Sequence, residues 1–123
     1  MDIVSALVAL LGNGAYSQTD APAYGERRIV TEPAPLLEAV AYHLAASTVT
    51  VECYAANRDR ALELARQVRD RAWPSAPANG IALHSVTPIA GPSFAARPVA
   101  GRLREWRYDM LLDINYSEVP NGN

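Results

Sequence analysis

Apolar residues at Ile3, Leu7, Leu10 and Leu11 recur at helical spacing until Gly12-Asn13-Gly14 stops the run. A first helix is therefore predicted over 3–11, with Asp2 as its N-cap. Val4 and Val8 occupy its other side and leave Ser5 as the one polar residue inside it. A helix with so little polar surface has to be covered on more than one side, by the core or by a neighbouring subunit.

Residues 15–35 are rich in turn formers and prolines (Pro22, Gly25, Pro33, Pro35), and only Arg27 to Thr31 reads as a strand, through Ile29 and Val30. A stretch of this length with little regular structure belongs in a small domain when it has a task such as docking on a partner. Residues 36–46 suit either period, since Leu37, Val40, Ala41 and Leu44 fit a helix and Val40, Tyr42 and Leu44 fit one face of a strand. Strand is the reading taken, because Ser47-Thr48 then gives a polar break before Val49, Val51 and Cys53 alternate with Thr50, Glu52 and Tyr54. Two such runs in succession predict a hairpin.

Asn57 is positioned to cap a second helix over 58–73, with Ala61, Ala65, Val68 and Ala72 on one face, Leu62 and Leu64 beside them, and Asp59, Glu63, Arg66 and Asp70 opposite. Trp73-Pro74 is its expected end. The small alanines allow this helix to lie close against the hairpin. Ile81, Leu83 and Val86 then mark a third strand, and Pro88, Gly91, Pro92 and Pro98 open a second irregular stretch over 88–103. The chain closes on its clearest strand, 104–116, where Trp106, Tyr108, Met110, Leu112 and Ile114 alternate with Arg107, Asp109, Leu111, Asp113 and Asn115.

With 123 residues, half of them apolar and a fifth charged, the chain has the make-up of one folded domain. Its basic residues are all arginine, and the net charge of −2 gives no broad positive field for non-specific nucleic-acid binding. The most apolar stretch, 3–11, is about half the ~20 residues that a bilayer-spanning helix needs, so no membrane partner is expected. The opening Met1-Asp2, with Arg27 the first basic residue, lacks the positive start of a secretory signal, and synthesis in the cytoplasm is expected.

Catalytic and metal chemistry find little to build on. Cys53 is the single cysteine and sits inside a strand run, where a buried small hydrophobe is expected and neither an intrachain disulfide nor a thiolate cluster can form. His43 and His84 lie in separate elements without a ligand partner at i+3 or i+4. Asp109 and Asp113 share a strand face, but four residues at ~3.3 Å each place them about 13 Å apart, too far for an acid/base pair. Gly12-Asn13-Gly14 follows a helix, whereas phosphate-cradling loops follow a strand and open a helix. Ser17, Ser75, Ser85 and Ser93 have no nucleophile-elbow context. No catalytic residue, metal site or cofactor is expected, and the chain reads as a non-enzyme. Arg58, Arg60, Arg66, Arg69 and Arg71 on the second helix, and Arg97, Arg102 and Arg104 before the last strand, are solvated charges or interface arginines.

The order of these elements carries a resemblance. Val51-Glu52-Cys53-Tyr54-Ala55 runs into Asn57-Arg58-Asp59-Arg60-Ala61-Leu62-Glu63-Leu64-Ala65, and the Gly91-Pro92-Ser93-Phe94 loop precedes Arg104-Glu105-Trp106-Arg107-Tyr108. Over nearly the whole chain this resembles the tail terminator (minor tail or minor capsid) proteins of long-tailed bacteriophages. The resemblance implies an α+β fold: a mostly antiparallel sheet of about four strands, two helices packed on one face, and long loops. It also implies a structural virion protein at the head–tail junction, a homo-oligomeric ring, usually a hexamer, that ends tail-tube growth and meets the head-completion (connector) proteins. Its partners would be itself, the tail tube protein and a head-completion protein, with no sequence-specific nucleic acid. No functional residue carries over from the family. The loops over 15–35 and 88–103 are the expected contact surfaces, with Tyr24, Arg27, Arg28, Phe94, Arg97 and Arg102 as interface candidates. The alternatives are another neck protein, such as a head-completion stopper, and a small ligand-binding or enzymatic α+β domain.

Overall fold

The computed structural model describes residues 3–32, 35–37, 44–74, 77–96 and 105–118. Helix α1 (Ile3–Leu11) comes first, and strands β1 (Ala15–Ser17), β2 (Arg27–Thr31), β3 (Pro35–Leu37) and β4 (Leu44–Ala55) follow. Helix α2 (Arg58–Arg69) and strands β5 (Ile81–Ala96) and β6 (Trp106–Glu118) complete the order. The strands form one sheet with the path β1-β2-β4-β6-β5, and β3 pairs with β4 off that path. Every pairing is antiparallel except β1 with β2. The fold is α+β, with six strands where about four were expected; the three-residue β1 lies where only loop was expected, and β3 is the start of the strand expected over 36–46.

The alternation of β6 and β4 decides which face is buried. Val49, Val51, Cys53 and Ala55 of β4 and Tyr108, Met110, Leu112 and Ile114 of β6 turn to one side, in register at Val49–Leu112, Val51–Met110 and Cys53–Tyr108. On that side they form one core with Ile3, Ala6, Leu7 and Leu11 of α1 and with Ala61, Leu64, Ala65 and Val68 of α2. The alanine stripe of α2 is fully buried at Ala61 and Ala65, as its small side chains allow. Helix α2 packs on β4 and β6, and it carries the chain past β6 to β5; β6 then lies between β4 and β5, antiparallel to both.

Both helices end on arginine. The Arg28 guanidinium, reaching from β2, donates to the carbonyls of Leu11 (3.4 Å) and Asn13 (2.7 Å), and Arg71 donates to the carbonyl of Leu10. The Leu10 and Leu11 carbonyls are acceptors that the end of α1 leaves without helical partners, Asn13 lies in the turn just after it, and a cation there also faces the negative end of the helix dipole. At α2 the Asn57 side chain accepts from the Arg60 N–H at 2.8 Å, Asp59 lies in the first turn, and Arg66 and Arg69 lie in the last. Helix α1 is only partly sunk: Ile3, Ala6, Leu7 and Leu11 are buried, Val4 and Val8 are half-buried against the core, and Ser5 and Ala9 face outward.

Several expectations need correction. No polar break divides β4, which runs unbroken through Ser47 and Thr48. Ser47 is fully buried and stays in the strand because its hydroxyl donates to the Glu32 carboxylate. Of the strand expected over 36–46, only its two ends are described, in β3 and in β4, which pair at Pro35–Ser47 and Leu37–Ala46; residues 38–43, with His43, lie outside the described residues, as does the Asp2 cap. Helix α2 stops at Arg69, four residues before Trp73, with Asp70 as its C-cap, so Ala72 is exposed and off the stripe. The stretch expected to be irregular from Pro88 is strand as far as Ala96. An edge strand accommodates proline because its outer side makes no ladder, and among the described residues β5 pairs only with β6; register shifts along it absorb the rest.

Candidate interaction surface

One end of the sheet collects most of the chain's aromatic and ionic chemistry. There β2 begins at Arg27, β4 ends at Tyr54 and Ala55, β6 begins at Trp106 and β5 reaches Phe94. The pairings Arg27–Tyr54, Tyr54–Arg107 and Phe94–Tyr108 bring these side chains together across four strands.

On the face turned away from the helices, Tyr54 stands between two guanidinium groups. The Arg27 guanidinium lies 4.1 Å from the ring centroid and that of Arg107 lies 5.8 Å from it. The Tyr54 hydroxyl donates to Glu52 at 2.8 Å. Burial, helped by this carboxylate, pushes the phenol up to about 12, so it stays a neutral donor. Arg107 forms a two-pronged pair with Asp109 (2.8 and 2.9 Å) and approaches Glu52 at 3.3 Å; the Asp109 carboxylate, more than Glu52, holds its guanidinium charged.

Arg27 is only 7% exposed and is spent inside the fold. It donates to the Glu105 carboxylate, to the carbonyl of Gly25 at 2.7 Å and to that of Ala23 at 3.3 Å, while its Nε has no partner. Removing either member of a buried ion pair costs more than the pair itself contributes, because the other charge is left stranded. The same bonds wrap the 23–25 turn around Arg27 and leave Tyr24 outside it, 65% exposed.

On the helix face of the same end, Phe94 meets Tyr108 edge-on (centroids 5.8 Å, 73°) and Trp106 likewise (6.1 Å, 62°). The Tyr108 hydroxyl accepts from Arg58 Nε at 2.9 Å, which ties this aromatic corner to the start of α2. Phe94 remains 55% exposed, and Ile89, five residues back on β5, is 50% exposed. Nearby, Arg60 pairs with Glu26 through two bonds of 2.6 and 3.0 Å, and this holds the Glu26 carboxyl below its ordinary range.

The six interface candidates thus separate. Tyr24, Arg27 and Phe94 come to one end of the sheet, with Tyr24 and Phe94 presented to solvent and Arg27 buried beneath. Arg28 lies on the helix face as the cap of α1 and is partly buried, which lowers its pKa. Arg97 and Arg102, with Arg104, lie outside the described residues. Tyr54, Glu105, Trp106 and Arg107 were missed as members of this surface. The period-two pattern already put Tyr54 and Arg107 on the polar faces of their strands, but the pairing that stacks them between non-neighbouring segments has no local signal.

The isolated groups behave as their surroundings require. Cys53 is fully buried, the small hydrophobe expected, and burial pushes its thiol up to about 12. His84 is exposed and bonds Ser117 at 2.8 Å. Among the described residues no group of three or more His, Cys, Asp or Glu side chains is placed to hold a metal ion, and no helix is long and apolar enough to cross a membrane. Compared with protein-family models, with curated proteins and with solved structures, the chain matches none.

Proposed function

We propose that this chain is a structural virion protein that closes into a ring at the head-proximal end of a bacteriophage tail tube, stops tube growth and joins the tail to the head-completion proteins. The observation that carries the reading is the exposure of two large apolar side chains on β5, Ile89 and Phe94. Phe94 is held in place by two aromatic neighbours, and a preorganised aromatic group with half its surface in water is the kind of side chain that contributes most to protein–protein contacts. Tyr24, at the same end of the sheet, adds a second such group. The α+β architecture is the fold class that the resemblance implies. Ring closure needs two different patches on each subunit, and the partly apolar groove between α1 and β1, lined by Val8, Ala9 and Tyr16 with Asp20, is unlike the surface of β5.

The reading is tested on virions carrying Phe94→Ala. The isolated subunit should fold, since the removed ring is mostly exposed, while electron microscopy should show overlong or headless tails. Tails of normal length joined to heads would remove Phe94 from the capping contact. A mass measurement of the wild-type protein, alone and with tail tubes, gives the assembly state directly, and a subunit that stays monomeric in both overturns the ring.

A further inference from the structure

We propose that the free edge of β5 in one copy pairs antiparallel with β1 of a second copy, so that neighbouring sheets join edge to edge; the inference rests on the ring reading and specifies its contact. Among the described residues the path β1-β2-β4-β6-β5 ends on two unlike strands, each with one neighbour. An uncovered edge is a row of N–H and C=O groups ready to pair, and proteins either block it or use it.

Both treatments are visible on β5. Pro88 pairs with Leu112 in the ladder although it has no N–H, which places its nitrogen on the side away from β6 and removes a donor from the free edge there. Register is unbroken from Ser85 to Pro88, so Val86, two residues earlier, directs its own N–H and C=O to that free edge. Beyond Pro88 the register shifts at three places and Pro92 removes another donor. The part of β5 able to accept a strand is therefore its first half, ending at Thr87. β1 is three residues long, and on its outer edge the Ala15 N–H already donates to the Gly12 carbonyl and the Ser17 carbonyl already accepts from the Asp20 N–H, both at 3.2 Å. The groups it offers a neighbour are therefore the Ala15 carbonyl and the Ser17 N–H, on either side of Tyr16.

Strand senses agree with this pairing. β1 runs with β2, β2 against β4, β4 against β6 and β6 against β5, so β1 and β5 run in opposite directions. A neighbour related by a rotation that preserves strand sense then meets β5 antiparallel along β1, and repetition of that step leaves each β1 and each β5 covered. A two-fold pairing of β5 with β5 would stop at a dimer and leave β1 bare. The flanks also match. Beside β1 runs a groove lined by Val8, Ala9 and Tyr16 with Asp20, and beside the start of β5 one lined by Trp73, Leu83 and Val86 with Arg71: each is partly apolar, and the charges are opposite.

The test is site-specific cross-linking of Tyr16→Cys and Thr87→Cys, two positions on the sheet face away from the helices, since Tyr16 pairs with Ile29 and Thr87 with Asp113. Cys53 is fully buried with its thiol pushed up to about 12, so it does not compete for a maleimide. With a short bis-maleimide, a mixture of the two single variants should give cross-linked dimers, the double variant should give a ladder reaching the full ring, and neither single variant alone should cross-link. Rings that form without cross-links in the double variant, or dimers from Thr87→Cys alone, overturn the β5–β1 contact and leave the ring reading standing. A double variant and wild type that both stay monomeric with tail tubes present overturn the ring reading and the edge contact together.

Discussion

β5 and β6 are neighbours in one sheet and pair along most of their lengths, yet they follow different rules. β6 has a partner on each side and a core beneath it, and its residues 107–114 alternate half-buried and buried without interruption. Among the described residues β5 has a partner on one side only; it carries Pro88, Gly91 and Pro92, its register shifts four times, and most of its side chains from His84 to Ala95 are exposed. A central strand is held to the period-two pattern because a single slip would turn its apolar set to the wrong face. An edge strand with little core beneath it has no such penalty, so its sequence is free to serve the outer surface.

The contrast is broken most directly at Leu112, fully buried on β6 opposite Val49. Leu112→Ala removes packing from the centre of the core and should cost about 2–5 kcal/mol, read from the chemical-denaturation midpoint. A loss within the range of surface substitutions would mean that β6 is not the central strand described here.

That difference also explains what was legible in the sequence. The strand over 104–116, the helix beginning after Asn57 and the alanine stripe could be read because burial writes its period directly into residue choice. The reach of β5 past Pro88 could not, since proline marks a break in every strand except one with an open side. The continuity of β4 through Ser47 was hidden for a related reason: a serine inside a core strand reads as a break until Glu32, fifteen residues earlier, supplies the acceptor. Helix α2 ends four residues before Trp73, and the apolar Ala72 and Trp73 after Asp70 give no sign of it. In the candidate surface, Phe94 and Tyr24 were legible as aromatic residues in stretches poor in other apolar anchors. The stack of Tyr54 between Arg27 and Arg107 depends on three segments meeting, and neither spacing nor composition encodes such a meeting.

An intermediate effect is expected where β5 touches β6 most closely. Gly91 has φ 108°, and a Cβ built there would overlap the Asp109 carbonyl oxygen and lie 2.9 Å from the Met110 sulfur. Gly91→Ala therefore meets backbone as well as an unfavourable φ and should cost roughly 1–3 kcal/mol. Gly12→Ala, at φ 82° with nothing within 4 Å of the added carbon, has only the conformational cost and should be the milder of the two. Equal losses from both would show that the approach of β5 to β6 at Gly91 is not a constraint.

The smallest effect on folding belongs to Ile89. It sits on β5 beside Pro88, half-exposed, where the register shifts between Pro88 and Ala90. Replacing an exposed side chain of this kind changes stability within about 0.5 kcal/mol, so Ile89→Ser should leave the denaturation midpoint nearly unchanged. Its expected effect lies elsewhere. An apolar side chain held in water on a strand edge contributes free energy only when a partner covers it, so the same substitution should weaken self-association measured by sedimentation or native mass at protein concentrations where wild type assembles. A variant as unstable as Leu112→Ala would place Ile89 in the core and erase the contrast between the two strands. One that folds and assembles like wild type would keep the contrast but confine the contact to Phe94 and to the half of β5 before Pro88.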